Sequence, residues 1–224
     1  MAKTPPPIKT AADRARARRI YQKLEELYPD ARCALDYGSP FQLLVATILS
    51  AQCLDATVNK ATPALFAKYP TAWVMADADL ADIEKLVKTC GFYRNKAKNI
   101  RAAAIAIVED FGGELPQTIE QLTQLPGAAR KTANVVLGNA FHINEGMVVD
   151  THIGRLSVRL GFTDHDSKNA VKIERDLMAL FPRDSWTQLA HLLIAHGRAI
   201  CKSQRPACDR CALARGCPKI GVSR

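Results

Sequence analysis

Four cysteines near the end of the chain have the spacing of ligands to one inorganic centre. They form a C-x6-C-x2-C-x5-C pattern that consists of Cys201, Cys208, Cys211 and Cys217. Soft thiolate ligands select zinc, copper(I) or iron–sulfur clusters, and four of them suit zinc or a [4Fe–4S] cluster. Zinc sites usually contain two CxxC pairs, whereas this segment contains one. The spacing therefore favours a compact loop around a [4Fe–4S] cluster over zinc, disulfides or ordinary core cysteines.

A second segment combines a tight turn with a reactive residue type. The Pro126-Gly127 pair predicts a turn between a short helix that ends at Leu125 and a new helix that begins near Ala129 or Arg130. Unpaired N–H groups at such a helix start bind phosphate, and helix–hairpin–helix motifs hold a DNA backbone in this way. Lys131 would lie in the first turn, where the helix dipole favours the neutral, nucleophilic amine. The alternative interpretation of Lys131 is a surface lysine without a function.

Asp150 is a candidate for acid–base chemistry. It follows Val148 and Val149 and precedes a predicted helix. An aspartate in this place is a good N-cap, because its carboxylate accepts hydrogen bonds from the first N–H groups of the helix. A cap also holds a carboxylate rigid and ionised, so a structural and a catalytic role are compatible.

The composition indicates a folded protein with a polyanionic partner. The 224 residues carry 31 Lys and Arg against 22 Asp and Glu, a net charge of +9, although a solvated basic face would give the same count. No apolar run approaches the ~18 residues of a membrane helix, and the start of the chain lacks a secretory signal. With seven cysteines, the chain is therefore expected inside the cell, in the cytoplasm near the nucleoid. The first ten residues, which include Pro5-Pro6-Pro7, are expected to be disordered.

Helical periodicity dominates, so the predicted fold class is all-α. Apolar residues from Ala97 to Phe111 recur at steps of three and four and stop at Gly112-Gly113, which is a helix stop signal. Thr118 and Gln121 fit a capping box at the next helix start. Ala-rich segments 41–53, 130–141 and 168–180 are also predicted helices. No alternating run is long enough to indicate a pair of strands.

Four further segments complete a resemblance to a known family. They read LLVATILSAQ, GFYRNKAKNI, LPGAARKTANVV and VDTH. With the cysteine spacing, they resemble the endonuclease III family of helix–hairpin–helix DNA glycosylases/AP lyases. The resemblance runs from about Ala12 to Pro218.

The resemblance implies a two-domain architecture. A six-helix barrel would span 34–144 and contain the helix–hairpin–helix at about 118–142, and a discontinuous domain of 1–33 and 145–224 would hold one [4Fe–4S] cluster. Lys131 and Asp150 match the catalytic lysine and aspartate of the family, and the four cysteines match its cluster ligands. The expected DNA-binding residues are Gln52, Phe92, Leu125, Gly127, Ala129, Arg130, Thr151 and His152. By themselves, Gln52 is a polar helix end and Phe92 a core aromatic.

The implied function is base excision repair. A bifunctional glycosylase/AP lyase would act as a monomer on double-stranded DNA that contains oxidised or saturated pyrimidines or abasic sites, with no membrane partner. Two alternatives are a monofunctional glycosylase, against which Lys131 argues, and a non-catalytic DNA-damage binding or redox module. Zinc is the alternative to the cluster.

Two residues depart from the family pattern. Ala129 replaces the second glycine of the family hairpin, and an alanine there would cost on the order of 1 kcal/mol if φ must be positive. Weaker phosphate binding and weaker activity are therefore expected. Gly154 introduces a flexible residue next to Asp150, which leaves the substrate range open.

Overall fold

A computed structural model of the chain describes residues 10–222, so the predicted disordered tail lies almost entirely outside the described residues. The described part is helical and contains no β-strand, which confirms the predicted fold class. It also contains no helix long and apolar enough to cross a membrane. The α-helices of residues 10–222 are Ala11–Leu27 (α1), Pro40–Ser50 (α2), Asp55–Lys68 (α3), Ala72–Ala76 (α4), Leu80–Leu86 (α5), Tyr93–Phe111 (α6), Ile119–Leu122 (α7), Arg130–Ala140 (α8), Thr151–Arg159 (α9), Ala170–Leu180 (α10) and Trp186–Ala199 (α11), with a 3₁₀ turn at Arg183–Ser185.

The chain divides into two compact units. One consists of residues 33–145 and contains α2 to α8. The other consists of residues 1–32 and 146–224 and contains α1 and α9 to α11. Each unit has its own hydrophobic core. The assignment of a six-helix barrel and of a cluster domain to these parts of the chain stays a prediction.

The unit of residues 33–145 is built around α2. Phe41 and every residue from Leu43 to Leu49 are buried, so this helix is apolar on all sides. Such a helix must be enclosed by others, and α3, α6 and α8 pack against it. Ser39 caps its start, because the Ser39 hydroxyl accepts from the Gln42 N–H at 3.2 Å. The turns that follow α2 and α7 are thereby attached to a rigid core.

Local signals set the ends of α6 and α7. Gly112 adopts a left-handed conformation (φ 60°), and the N–H groups of Gly112 and Gly113 both bond to the Ile107 carbonyl, as the predicted stop requires. Thr118 accepts from the Gln121 N–H at 3.3 Å, so the predicted helix start at Thr118 is correct. The short helix ends at Leu122 rather than at the expected Leu125, and a turn and a bend replace the helix at the three residues 123–125.

In the unit of residues 1–32 and 146–224, both α10 and α11 pack against α1 and α9. Its core includes Phe162, which is fully buried and meets Phe181 edge to face. Arg16 of α1 lies over the Phe162 ring and donates to the carbonyls of Leu160 and Gly161. An arginine from the start of the chain thereby fixes the turn that ends α9.

Close packing, and not a need for backbone flexibility, requires glycine at position 154. It lies inside α9, and a Cβ at this position would come within 2.2 Å of the Ser167 carbonyl oxygen. Real Cβ atoms do not approach a backbone atom so closely, so only glycine lets the segment before α10 lie against α9. The expectation of a flexible residue next to Asp150 is therefore wrong, because Gly154 is a buried helical residue.

Candidate functional site

The segment between α7 and α8 forms the predicted hairpin. Gly127 has a φ of 79°, in the left-handed region that favours glycine. A Cβ on Gly127 would lie 3.0 Å from the Asn99 Cβ of α6 and 3.3 Å from the Ile48 side chain of α2. Both conformation and space therefore demand glycine, and the hairpin is held by the two central helices of its unit.

The hairpin presents backbone donors outward. Gly127 and Ala129 are exposed, and within residues 10–222 no group accepts a hydrogen bond from either N–H. Leu125 is buried and supports the turn from below, so its side chain is not available to a ligand. Exposed N–H groups at a helix start are a favourable place for an anion.

Ala129 occupies an unstrained conformation. It is the N-cap residue of α8, with φ −74° and ψ 169°, an extended conformation open to any residue. The expected cost of a positive φ at this position is therefore absent. The reason given for weaker phosphate binding by this hairpin is wrong, since the left-handed residue of the turn is Gly127.

Arg130 and Lys131 are the first two residues of α8, and both are exposed. The helix begins at Arg130, one of the two predicted starts. The Lys131 amine thus extends from the first turn of a helix whose dipole opposes a cation at that end. Ala133, Val136 and Leu137 are buried on the opposite side and anchor α8 to the core.

Gln52 and Phe92 both have left-handed backbones. Their φ angles are 52° and 49°, which few residues other than glycine adopt. Gln52 follows the end of α2, and Phe92 is the N-cap residue of α6. Phe92 is 68% exposed, so its interpretation as a core aromatic is wrong. Strained, exposed residues of this kind concentrate at functional sites.

Asp150 caps α9. One of its carboxylate oxygens accepts from the Ile153 N–H at 2.8 Å, and the Gly154 N–H bonds to the Asp150 carbonyl at 2.8 Å. The carboxylate is half-buried and fixed in direction by the helix start. Thr151 is exposed, whereas His152 is half-buried. Burial lowers the pKa of His152, although the Asp150 charge acts in the opposite direction.

Two arginines fasten α9 to the cysteine segment. Arg155 donates to the Cys201 carbonyl at 3.0 Å through Nη2, and the same atom lies 3.2 Å from His152 Nδ1. Arg159 lies 3.4 Å from the Cys201 sulfur and donates to the carbonyls of Lys202 and Ser203. Sequence reasoning missed both arginines. Their spacing of four residues on one face of the helix after Asp150 was the available signal.

The four cysteines line one cavity. Its wall includes Cys201, Cys208, Cys211 and Cys217, together with Leu156, Arg159 and His196. Within residues 10–222, no three His, Cys, Asp or Glu side chains gather closely enough to hold a single metal ion. The four thiols therefore line the wall of a shared cavity and do not converge on one point within the described residues.

His196 connects this cavity to α1. Its Nε2 lies 3.5 Å from the Cys211 sulfur, and its Nδ1 lies 2.9 Å from the Tyr28 hydroxyl. Burial lowers the pKa of His196 to about 4, so the imidazole is neutral near pH 7. A neutral ring has one donor nitrogen and one acceptor nitrogen, which suits a bridge between a hydroxyl and a sulfur.

Comparison with known proteins decides the family. The model of the HhH-GPD superfamily of base excision DNA repair proteins matches residues 45–183. Endonuclease III of Synechocystis sp. is 53% identical over 96% of this chain and 97% of its own length, and that of Escherichia coli is 37% identical over 90% and 94%. The chain belongs to the endonuclease III family.

Solved structures agree. A non-covalent Endonuclease III–DNA complex and a trapped Endonuclease III–DNA covalent intermediate each match with a TM-score of 0.84 and 39% identity. The first covers 92% of this chain and 95% of the solved one. As an endonuclease III family member, the protein is a base excision repair DNA glycosylase, which confirms the expected reaction class over a non-catalytic module.

We predict opposite outcomes for two changes in the hairpin. Gly127→Ala should reduce the free energy of unfolding by about 2 kcal/mol or more, because it adds a left-handed alanine and overpacks Asn99. Ala129→Gly should change that free energy by less than about 0.5 kcal/mol, because a better N-cap residue offsets the added chain entropy. Urea unfolding of both variants measures the difference. A large loss in Ala129→Gly with none in Gly127→Ala would contradict the assignment of the left-handed position.

Proposed function

We propose that the protein is a bifunctional DNA glycosylase/AP lyase that removes oxidised or saturated pyrimidines from double-stranded DNA. The observation that carries the proposal is the position of Lys131, exposed in the first turn of α8 directly after the hairpin. A relative that matches 92% of the chain has been trapped as a covalent intermediate with DNA. A covalent intermediate needs a nucleophile, and an amine at this position is the nucleophile that the hairpin would bring to the backbone.

The proposed reaction begins with extrusion of the damaged base. A saturated or oxidised pyrimidine stacks poorly, so it leaves the duplex at a lower cost than a normal base. The hairpin N–H groups would bind a backbone phosphate, and Gln52 and Phe92 would enter the space that the base leaves. An exposed phenyl group on a fixed turn is suited to wedge between bases.

Lys131 then acts as the nucleophile. Its neutral Nζ attacks C1′ of the deoxyribose, a C1′–N bond to the enzyme forms, and the glycosidic bond breaks with departure of the base. The sugar ring then opens: the C1′–O4′ bond breaks, O4′ takes up a proton, and a C1′=N Schiff base forms, which acidifies the adjacent sugar carbon, C2′. Loss of a proton from that carbon expels the 3′ phosphate oxygen by β-elimination, which cuts the strand.

Asp150 would accept the lysine proton and stabilise positive charge that develops on the sugar. The N-cap hydrogen bond from Ile153 supports this role, because it holds one oxygen and leaves the other free to act. Thr151 and His152, which follow Asp150, would contact the DNA beside it, and Arg130 would contact a phosphate beside the hairpin.

The four cysteines would hold a [4Fe–4S] cluster. Four soft thiolates are the ligand set of such a cluster, and they line a common cavity. A single zinc ion would draw four sulfur atoms to about 2.3 Å from one point, whereas these surround a larger space. When bound, the cluster would supply structure: it would fix a segment whose exposed cations include Lys202, Arg205, Arg210, Arg215 and Lys219.

We infer that a monomer acts on DNA in the cytoplasm, near the nucleoid.

The first test of the proposal is covalent trapping. The wild-type protein should nick duplexes that contain thymine glycol or an abasic site, and borohydride should trap it on the abasic duplex. Lys131→Gln should abolish both, because no amine remains to form the Schiff base. Lys60→Gln, which changes an exposed lysine of α3, is the control and should trap normally. Trapping of Lys131→Gln at the wild-type rate would remove this residue from the nucleophile role.

A second prediction separates the two roles of Asp150. Asparagine caps a helix as well as aspartate does, so Asp150→Asn should unfold at nearly the wild-type temperature. It lacks the charge and the basicity, so single-turnover base excision should slow by about 10²- to 10⁴-fold. DNA affinity, measured by fluorescence anisotropy, should stay within threefold of wild type. Equal turnover by the two proteins would refute the assignment.

A third prediction concerns the cysteines. Cys208→Ser should lose the iron and the brown colour of the purified protein, because one of four ligands is gone. Cys33→Ser, which changes a half-buried cysteine of the other unit, should retain both. Elemental analysis and the visible spectrum provide the measurement. Stoichiometric zinc in the wild-type protein would contradict the cluster.

A further inference from the structure

Lys96 is a buried lysine that the proposed reaction does not use. Its side chain is 6% exposed, although lysine is rarely buried without a paired acid. Its ammonium donates to the Leu49 carbonyl at 2.8 Å and to the Cys90 carbonyl at 2.6 Å. Within residues 10–222, no carboxylate forms an ion pair with it. A charge in such a position requires a function that outweighs its desolvation.

The two carbonyls belong to the two turns that carry the left-handed residues. Leu49 lies in the last turn of α2, three residues before Gln52. Cys90 lies two residues before Phe92, the N-cap of α6. Lys96 itself is in the first turn of α6, where its own N–H bonds to the Phe92 carbonyl at 3.2 Å. One side chain therefore links the backbone before Gln52 to the backbone before Phe92.

The end of α2 has no positive charge from its own last turn. Its last turn contains no basic residue, and the carbonyls at a helix end have no partner within the helix. A cation in this position interacts favourably with the negative end of the dipole. Lys96, which belongs to α6, thus provides the positive charge that the last turn of α2 does not contain.

Independent contacts show that the two turns touch. The Cys53 and Cys90 thiols, one from each turn, lie close enough to influence each other, and the neighbouring Cys53 contributes to a raised pKa of the Cys90 thiol after burial, which is the largest cause. Each turn also has a local bond, from the Cys53 N–H to the Ser50 carbonyl at 3.0 Å and from the Cys90 N–H to the Val87 carbonyl at 2.9 Å. None of these local bonds connects the backbone of one turn to the backbone of the other. The Lys96 ammonium makes that connection.

We propose that Lys96 is a positioning residue for base extrusion: its ammonium clamps the Gln52 and Phe92 turns together, so that both side chains enter the duplex as one rigid unit. This inference rests on the proposed function. Two independently mobile turns would lose conformational entropy each time they bound DNA. A preformed pair of turns avoids this cost. The clamp serves the extrusion of a base and not the chemistry at the sugar.

The test replaces Lys96 by methionine, which keeps the chain length and removes the donors. Lys98→Met, an exposed position on the same helix, is the matched control. Hydrogen exchange should accelerate by about tenfold or more in residues 50–53 and 88–93 of Lys96→Met, beyond any change elsewhere. Excision of thymine glycol should slow by about tenfold or more, whereas cleavage of a preformed abasic site should slow by less than about threefold. Lys98→Met should match wild type in each measurement.

Other outcomes would overturn the clamp. Unchanged exchange in both segments would show that the turns are ordered without the ammonium. Equal slowing of excision and abasic-site cleavage would indicate general destabilisation instead of positioning. Lys96→Gln, which retains a donor for one carbonyl, should give the same pattern with smaller changes, and it replaces the methionine variant if that chain does not fold. Exchange is measured without DNA, so it decides the clamp even if the wild-type protein fails to excise.

Discussion

The hydrogen bond from the Ile153 N–H to the Asp150 carboxylate is the contact on which the proposed chemistry depends. At 2.8 Å it fixes one carboxylate oxygen at the start of α9. The orientation of the Asp150 carboxylate is therefore set by the position of α9. Arg155 and Arg159 bond α9 to the segment of Cys201, so the cysteine segment would affect catalysis by holding a helix. This link would let the proposed cluster support catalysis without taking part in the reaction.

The lysine proposed as the nucleophile depends on a second helix start. Lys131 is fixed by α8, and α8 is fixed by a hairpin whose Gly127 lies against α2 and α6. The same two helices end and begin at the turns of Gln52 and Phe92, which Lys96 joins. In the unit of residues 33–145, one apolar helix, α2, therefore supports both the hairpin proposed to bind a phosphate and the turns proposed to enter the duplex. Rigid support of this kind is what a positioned amine requires.

Local sequence signals predicted the elements, and tertiary contacts decided the rest. The glycine pair after Phe111, the cap at Thr118 and the start of α8 depend on a few neighbouring residues, and the structure contains them as expected. The conformation of Ala129 and the role of Gly154 depend on residues far along the chain. Gly154 is set by the Ser167 carbonyl, and no pattern around position 154 reveals that neighbour. Lys96 was missed for the same reason, since its acceptors lie in other turns.

The positive charge of the chain has two separate uses. Several cations donate to backbone carbonyls inside their units: Lys96 to Leu49 and Cys90, Arg16 to Leu160 and Gly161, and Arg155 to Cys201. Carbonyls do not neutralise charge, so these groups still add to the long-range attraction of a polyanion. Lys96 is buried and cannot contact a phosphate, however. The net charge of +9 therefore overstates the number of direct phosphate contacts, which we expect from exposed residues such as Arg130 and the cations around the cysteines.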